Sequence, residues 1–329
     1  MTFAYHLLRP TYKHKEMQES SLHLIYAPPG FGKTTGLMEV FEKTSLSLVF
    51  LSPLRAIAEE VLERALARGH CVQWGGKSAP DKKTFIASTF ESFSSREFNA
   101  DHFLFVIDEF HLIYYWGDDF RPRLFETYYC LAAMGATLLA LSATIMPSLF
   151  ERVKQDALIA FDQFYYYDLG GGTLLYKPKY ELNMKLFSRA EQLKLLSLYL
   201  KFSGKRALVF CSRRQDVLKV RARLREEGLL CAHCLGGGVQ DFLADTRRQE
   251  PQVIVATSVL SHGVNLGAIR LVCFLDPVEN NDFYLQMLAR GGRDGGGFIV
   301  VQRQTVSIAG FLLQLILWPF IKLLCHATL

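Results

Sequence analysis

The sequence lacks the features of several protein classes. Its first twenty residues contain no apolar run of signal-peptide length, so we do not expect export through the N-terminus. It also contains no repeat of fixed period and no long low-complexity tract. Only 21% of the residues are charged and half are hydrophobic, which argues against a disordered, collagenous or disulfide-dense chain and predicts a sizeable folded core.

Cysteine is scarce, and its count is odd. Most of the seven cysteines lie in apolar stretches, where a free thiol behaves as a small hydrophobic group, so we expect a reducing intracellular compartment such as the cytoplasm. Cys231 and Cys234 have the spacing of half a zinc or redox site, but no second pair supplies the remaining ligands. The sequence therefore favours free thiols over a metal at this pair.

The positive charge in excess is small, but its distribution is uneven. The formal net charge is +5, which is compatible with a polyanionic partner without requiring one. Residues 1–170 carry 16 basic and 20 acidic side chains, a net −4, whereas residues 171–329 carry 21 and 12, a net +9. The second half thus holds the positive field.

The length and the order of the predicted elements indicate two α/β domains. A chain of 329 residues suits two domains of roughly 150 residues each. Short apolar runs alternate with helical patterns, which predicts parallel sheets with crossover helices. The predicted strands cover residues 22–27, 47–52, 84–89, 103–109 and 136–144, then 207–212, 230–235, 253–258, 271–276 and 298–303.

A glycine triplet at 170–172 is the best linker candidate, and a helical pattern restarts near Ser188. We therefore expect a first domain over 1–170, a second over 171–304 and an apolar C-terminal tail over 305–329. The apolar stretch 308–325 falls just short of a clean membrane span. A buried or partner-facing helix is favoured there over an interfacial anchor or a membrane span, so membrane contact through 308–325 is not expected.

Residues 27–34, APPGFGKT, have the pattern of a phosphate-binding loop between a strand and a helix. Gly30 and Gly32 let backbone N–H groups approach phosphates, and the helix N-terminus adds its dipole. Lys33 would reach the β and γ oxygens, and Thr34 would hold Mg²⁺. The first position of the pattern is Ala27 instead of glycine.

Two further segments carry charges suited to phosphate chemistry. In VIDEF, residues 106–110, adjacent carboxylates end an apolar strand, one suited to a Mg²⁺ shell and the other to orienting or deprotonating a water. In YLQMLARGGR, residues 284–293, Arg290 and Arg293 could stabilise charge that develops on a γ-phosphate. The alternative interpretation is a pair of solvated acids and a pair of surface arginines.

Taken in order, these segments resemble the conserved blocks of the superfamily 2 DExH helicases, nearest to the Ski-two-like branch in a minimal two-lobe form. The resemblance runs from about residue 26 to residue 293. The blocks are APPGFGKT (27–34, motif I), SPLRAIAEE (52–60, Ia), ASTFESF (87–93, Ib), DEFH (108–111, II), SAT (142–144, III), LVFCSRR (208–214, IV), ATSVLSHGVNL (256–266, V) and QMLARGGR (286–293, VI).

The resemblance implies two tandem RecA-like domains that bind Mg²⁺-ATP in the cleft between them and a single-stranded or tailed RNA or DNA. It implies catalytic roles for Glu109, Gln286, Arg290 and Arg293, and it implies coupling of hydrolysis to domain movement by Ser142 and Thr144. Nucleotide contacts are expected from Pro29, Gly30, Phe31, Gly32, Lys33, Thr34, Thr35, Asp108, Gly263 and Asn265, with Thr34 and Asp108 as Mg²⁺ ligands. Nucleic-acid contacts are expected from Arg55, Thr89, Ser212, Arg213 and Thr257.

The sequence departs from the family in two ways. Ala289 stands where the family has glycine in motif VI. Only 19 residues separate Leu266 from Gln286 and 36 follow Arg293, which leaves little room for a strand-separating hairpin, a winged helix or a helical ratchet. We expect an ATP-dependent helicase or translocase, 3′ to 5′ by resemblance alone. The alternatives are an ATPase that remodels nucleoprotein in a larger complex without intrinsic unwinding, a non-catalytic binding module and a membrane-tethered motor.

Overall fold

The computed structural model describes residues 20–75, 82–118, 120–184, 187–261, 264 and 266–302. The chain divides into two compact units, Met1–Leu175 and Tyr176–Leu329. The predicted tail over 305–329 lies outside the described residues, as do Gly263 and Asn265. Within the described part of the chain, no helix has the length and apolarity needed to cross a membrane.

The first unit is built on a seven-stranded sheet, in the order β3-β4-β2-β5-β6-β1-β7, with every neighbouring pair parallel. Its strands are β1 (Ser21–Tyr26), β2 (Ser47–Leu51), β3 (Val72–Trp74), β4 (Phe85–Ser88), β5 (Phe103–Ile107), β6 (Thr137–Ser142) and β7 (Gln163–Asp168). Its helices are α1 (Lys33–Lys43), α2 (Arg55–Ala67), α3 (His111–Trp116), α4 (Arg123–Ala133) and α5 (Pro147–Ala160).

The central strands are covered on both faces, which explains their uninterrupted apolar sequences. All five residues of β5 are buried. Because successive side chains of a strand point to opposite faces, Leu24 and Ile25 of β1 belong to two different hydrophobic clusters, one on each side of the sheet. All five predicted strands of this unit are present. The edge strands β3 and β7 escaped prediction, since their half-exposed sequences lack such a run.

The second unit is built on a six-stranded parallel sheet in the order β10-β11-β9-β12-β13-β8. Its strands are β8 (Tyr180–Asn183), β9 (Ala207–Phe210), β10 (Cys231–Cys234), β11 (Val253–Ala256), β12 (Leu271–Phe274) and β13 (Ile299–Gln302). Its helices are α6 (Arg189–Ser203), α7 (Arg214–Glu226), α8 (Val239–Arg248) and α9 (Asn281–Leu288). The expected class, two tandem α/β domains with parallel sheets, is confirmed.

A capping box fixes the start of α6, where the sequence predicted a helix near Ser188. The Glu191 backbone N–H donates to the Ser188 hydroxyl at 3.2 Å, and the Ser188 N–H donates to the Glu191 carboxylate at 2.8 Å. These two bonds satisfy N–H groups that have no partner within the helix.

The glycines expected to form a linker are instead packed parts of the first unit. The Gly172 N–H donates to the Ala143 carbonyl at 2.9 Å. A Cβ at Gly171 would overlap the ring of Tyr26, so the absence of a side chain is what allows this close approach. The chain passes into the second unit a few residues later, after Leu175.

Candidate functional site

The phosphate-loop sequence forms a tight turn between β1 and α1. Gly30 has φ of 83° and Gly32 has φ of 91°, values that favour glycine. Helix α1 begins directly after Gly32, and no side chain caps its N-terminus. A Cβ at Gly32 would meet no atom within 4 Å, so open space lies beside the turn. The first turn of α1 therefore faces a space suited to an anion.

Lys33 is held over this turn. Its ammonium donates to the carbonyl of Ala27 at 2.9 Å and to that of Pro28 at 3.3 Å. Both acceptors belong to the phosphate-loop sequence itself. The side chain is thus folded back on the loop, in position to exchange carbonyl oxygens for the oxygens of a bound phosphate.

The acidic pair lies at the C-terminal end of β5 on a strained stretch of backbone. Glu109 has φ of 48°, and it is the one non-glycine residue with positive φ in the described part of the chain. Its neighbours are fixed, because the Asp108 N–H donates to the Leu51 carbonyl and the Phe110 N–H donates to the Leu141 carbonyl, both at 2.9 Å. Backbone strain of this kind, imposed by surrounding bonds, is concentrated at functional sites.

Asp108 is half-buried by exposed area, and protein atoms pack closely around its carboxyl group. This burial, together with the nearby Glu109 carboxylate, raises the pKa of Asp108 to about 7, although Lys33 acts in the opposite direction. A further cation close to such a carboxyl group would stabilise its ionised form. Asp108, with the Thr34 hydroxyl at the start of α1, therefore suits Mg²⁺, which favours oxygen ligands beside phosphates.

Buried hydrogen bonds connect His111, which lies beside the acidic pair, with the SAT segment. His111 Nδ1 lies 2.9 Å from Ser142 Oγ, and Ser142 Oγ donates to the Thr144 carbonyl at 2.9 Å. Because the Ser142 proton is used for Thr144, His111 Nδ1 must carry the proton of the first bond. The same Nδ1 lies 3.7 Å from Glu109 Oε2. His111, Ser142 and Thr144 all have 0% exposed area.

These bonds link the predicted coupling residues Ser142 and Thr144 to His111, which lies 3.7 Å from Glu109. His111 itself was missed as a functional residue, although it is the fourth letter of the DEFH block. Its place in that block was the signal by which sequence reasoning could have found it.

Two of the predicted nucleic-acid contacts lie in the first unit, beyond the C-terminal ends of β2 and β4. Arg55 is exposed, pairs with Glu59 at 2.8 Å and lies 5.4 Å from the centre of the Trp74 ring. Thr89 follows β4, and its hydroxyl donates to Ser92 Oγ at 3.2 Å.

Arg121 joins the segments that carry these two residues. Its guanidinium donates to the Glu91 carboxylate at 2.8 and 2.6 Å and to the Pro53 carbonyl at 2.6 Å. The same group lies 5.7 Å from the centre of the Trp116 ring. Pro53 belongs to the motif Ia segment and Glu91 to the motif Ib segment, so Arg121 fixes one against the other. Sequence reasoning missed this role, because the partners are 68 and 30 residues away.

In the second unit, the motif VI arginines donate hydrogen bonds to backbone carbonyls of the same unit. Arg290 is 2% exposed, and its guanidinium donates to the carbonyls of Ser261 at 3.2 Å and Val264 at 2.5 Å. Arg293 Nε donates to the Ala289 carbonyl at 2.9 Å. Gln286, on α9, is also buried. Arg290 therefore holds the motif V segment against the segment that follows α9.

The predicted nucleic-acid contacts of this unit follow β9 and β11. The backbone N–H and the hydroxyl of Ser212 both donate to Asp276 at 2.9 Å. Arg213 is exposed just before α7, and Thr257 is half-buried just after β11.

The Cys231–Cys234 pair lies in β10. Within the described ranges, no three His, Cys, Asp or Glu side chains lie close enough together to hold a metal ion. Burial raises the pKa of Cys231 to about 11 and that of Cys234 to about 12, so both are neutral thiols at neutral pH. The six described cysteines are all free.

Comparison with known proteins places both units in recognised domain families. Residues 12–152 match the DEAD/DEAH box helicase family, and residues 189–295 match the helicase conserved C-terminal domain. ATP-dependent DNA helicase RecQ of Haemophilus influenzae is 30% identical over 57% of this chain and 30% of its own length. ATP-dependent helicase SGS1 of Saccharomyces cerevisiae is 23% identical over 76% of this chain and 15% of its own. The chain thus spans less than a third of either relative.

Among solved structures, S. cerevisiae Dbp5 bound to RNA and ADP BeF3 is similar, with a TM-score of 0.69 and 18% sequence identity. The similarity covers 94% of this chain and 84% of that one. At this identity it shows the fold alone, two parallel-sheet α/β domains.

Proposed function

Because the chain belongs to the superfamily 2 helicases, we propose that it hydrolyses Mg²⁺-ATP in response to RNA or DNA and uses the energy to move along or unwind the strand. In this proposal the predicted domain over 1–170 binds the nucleotide, and the predicted domain over 171–304 is the second motor lobe. The Ski-two-like placement is not confirmed, since the curated relatives named above are RecQ and SGS1. The branch remains a prediction.

The observation that carries the proposal is the cluster of Lys33, Asp108 and Glu109 at one edge of the first sheet. Lys33 and the first turn of α1 would bind phosphate oxygens, and Thr34 and Asp108 would hold Mg²⁺. Bound Mg²⁺ would supply neutralisation of phosphate charge. Glu109 would orient a water and accept its proton, and its strained backbone fixes where the carboxylate stands.

The buried bonds from His111 to Ser142 and Thr144, with Glu109 beside His111, support the proposed coupling role. A change in the position or charge of Glu109 would alter the electrostatic environment of His111 Nδ1, which lies 3.7 Å from Glu109 Oε2. That ring is fixed on its other partner, Ser142, whose hydroxyl holds the backbone of Thr144. The segment that follows β6 would in this way respond to the state of the catalytic carboxylate.

The remaining roles rest on the family resemblance. Gln286, Arg290 and Arg293 are proposed to act on the nucleotide, with Gly263 and Asn265 near it. Arg55, Thr89, Ser212, Arg213 and Thr257 are proposed to contact the strand. The net +9 of residues 171–329 supports a grip on a phosphate backbone. A reducing intracellular compartment remains part of the proposal.

ATP turnover measured against single-stranded and duplex RNA and DNA, with and without a 3′ tail, tests this function. We expect at least one of these polymers to stimulate turnover, and Lys33→Ala to abolish the response while leaving the fold intact by circular dichroism. A wild-type protein that responds to none of them would rule out the motor.

One observation favours the second candidate, an ATPase that remodels nucleoprotein without separating strands. Between Leu266 and Gln286 the described backbone forms only a short loop, β12, a second loop and the start of α9, with no β-hairpin. A partner protein would then supply the strand-separating element. Displacement of a bound protein from a strand, combined with failure to separate a tailed duplex, would select this candidate.

A further inference from the structure

The structure contains a second cluster of hydrogen-bond donors in the first unit, apart from the nucleotide site. A cavity of about 310 Å³ lies between residues 93–96 and one face of α4. We call it the flank cavity. Its size is at the lower end of the roughly 300–1,000 Å³ range of small-ligand sites, which is enough for a phosphate group with part of its sugar. Its polar side chains include Ser94, Ser95, Arg96, Arg123, Thr127 and Cys130.

The charges in the flank cavity favour an anion. Arg96 is exposed and makes no hydrogen bond or ion pair with any residue that the structure describes. Arg123 is half-exposed and pairs with Glu126 at 3.0 Å, the one carboxylate among the lining residues. The cavity is thus lined by two guanidinium groups and two serine hydroxyls, against one carboxylate, which already pairs with Arg123. Such donors match the tetrahedral oxygens of a phosphate.

The flank cavity is continuous with the motif Ib segment. Arg123 donates to the carbonyl of Phe93, the last residue of ASTFESF, at 3.4 Å. Thr89, the predicted strand contact, lies four residues earlier in the same segment. Arg121, two residues before Arg123, holds Glu91 of that segment. The flank cavity therefore borders the segment on which a strand contact is predicted.

We propose that the flank cavity binds a backbone phosphate of the nucleic-acid strand beyond motif Ib, through Arg96 and Arg123. The inference rests on the proposed function, because it requires a strand on motif Ib. The contact would be independent of sequence, since it reads phosphate alone.

The test compares the affinity and salt dependence of Arg96→Ala and Arg123→Ala with those of a matched control, Arg68→Ala. Arg68 is also an exposed, ion-paired arginine of the first unit, bonded to Glu42, but it lies at the far end of α2. Binding of a labelled single-stranded oligonucleotide is measured by fluorescence anisotropy over a salt series. Each cavity variant should weaken binding roughly five- to tenfold and reduce the slope of log K against log salt by about 0.7.

Arg68→Ala should bind like wild type. If the two cavity variants match Arg68→Ala in affinity and slope, the inference is wrong. Arg123→Lys keeps the charge and should keep most of the affinity. Should Arg123→Ala fail to fold, Arg96→Ala still decides, because its side chain is exposed and bonded to no described residue. If no nucleic acid binds or stimulates the wild type, the proposed function itself fails, which is a different result.

Cys130 provides a direct probe, because it is exposed in the flank cavity. Alkylation of its peptide, followed by mass spectrometry, should slow when a strand is bound. An unchanged rate under conditions where the strand stimulates ATP turnover would overturn the inference. Protection by inorganic phosphate or a phosphorylated peptide, with none by the strand, would also overturn it and assign the cavity to a free phosphate ligand or a protein partner.

Discussion

The two units share a layout but use their charged groups differently. In the first unit, burial disfavours the charged form of Asp108, and Glu109 has a strained backbone with positive φ. In the second, buried Arg290 is bonded to backbone carbonyls of its own unit. A strained, partly buried acid pair is poised for a cation and a reacting group, whereas the buried arginine holds the loop around it through its bonds to Ser261 and Val264. The contrast supports the proposal that the first unit supplies the catalytic carboxylate.

The largest effect that would test this contrast is expected at Glu109. Glu109→Gln removes the proposed proton acceptor with little change in size, so ATP turnover should fall roughly 10²- to 10⁴-fold while nucleotide binding persists. Phosphate release and binding of a fluorescent nucleotide measure the two properties. Glu151→Gln, an exposed change on α5, should leave both as they are. Turnover equal to wild type in Glu109→Gln would remove our catalytic assignment.

A pair of glycines compares the packing of the two units. A Cβ at Gly171 would overlap Tyr26 in the first unit, and one at Gly291 would overlap Phe298 in the second. Because both contacts lie in packed regions, alanine at either position should lower the free energy of unfolding by about 1–3 kcal/mol. Urea unfolding followed by circular dichroism measures this change. Gly236→Ala, where a Cβ meets nothing within 4 Å, should stay within about 0.5 kcal/mol of wild type.

Two carboxyl groups should give pH effects of opposite sign. Burial raises the pKa of Asp108 to about 7 from its ordinary 3.8, so its contribution to stability is complete below the ordinary value and is lost as the pH rises to 7. Asp294 is the reverse, since hydrogen bonds from Arg270 lower its pKa to about 2. Its contribution is complete above the ordinary value and is lost only in acid.

Unfolding in the presence of a chelator, followed from pH 4 to pH 8, distinguishes the two groups. Asp108→Asn should become more stable than wild type as the pH rises, by up to ~1.4 kcal/mol per pH unit between the ordinary and the raised pKa. Asp294→Asn should be less stable than wild type at neutral pH. Changes of the same sign in both variants would contradict the assigned electrostatics.

The smallest effect is expected at Arg121. Arg121→Lys keeps the charge but loses the paired bonds to Glu91 and the bond to Pro53, so the motif Ia and Ib segments should be less firmly held. The strand concentration for half-maximal ATPase stimulation should rise roughly fivefold, with the maximal rate retained. Arg152→Lys, a similar exposed arginine near an aromatic ring, serves as control and should not differ from wild type. A loss of maximal rate instead would indicate a role in hydrolysis.

Sequence reasoning located the parts of the fold that have a strong local signal. The ten predicted strands are buried apolar runs, and the phosphate loop, the acidic pair and the start of α6 each have a short pattern of their own. The edge strands β3, β7 and β8 were missed, because a half-exposed edge needs no such run. The glycine triplet predicted as a linker ends three residues before the division between the two units, and its packing against Tyr26 was not foreseen, because a close approach and a flexible connection favour the same residue.

The sequence by itself determined the fold class, the two units and the residue types of the candidate site, since periodicity, glycine placement and adjacent carboxylates are local properties of the chain. Only the tertiary structure decided how those residues are held. The bonds from His111 to Thr144 and those made by Arg121 join parts of the chain that are far apart in sequence. The strain at Glu109 and the raised pKa of Asp108 depend on the same packing. Such contacts and the burial they produce arise from packing, which no local pattern encodes.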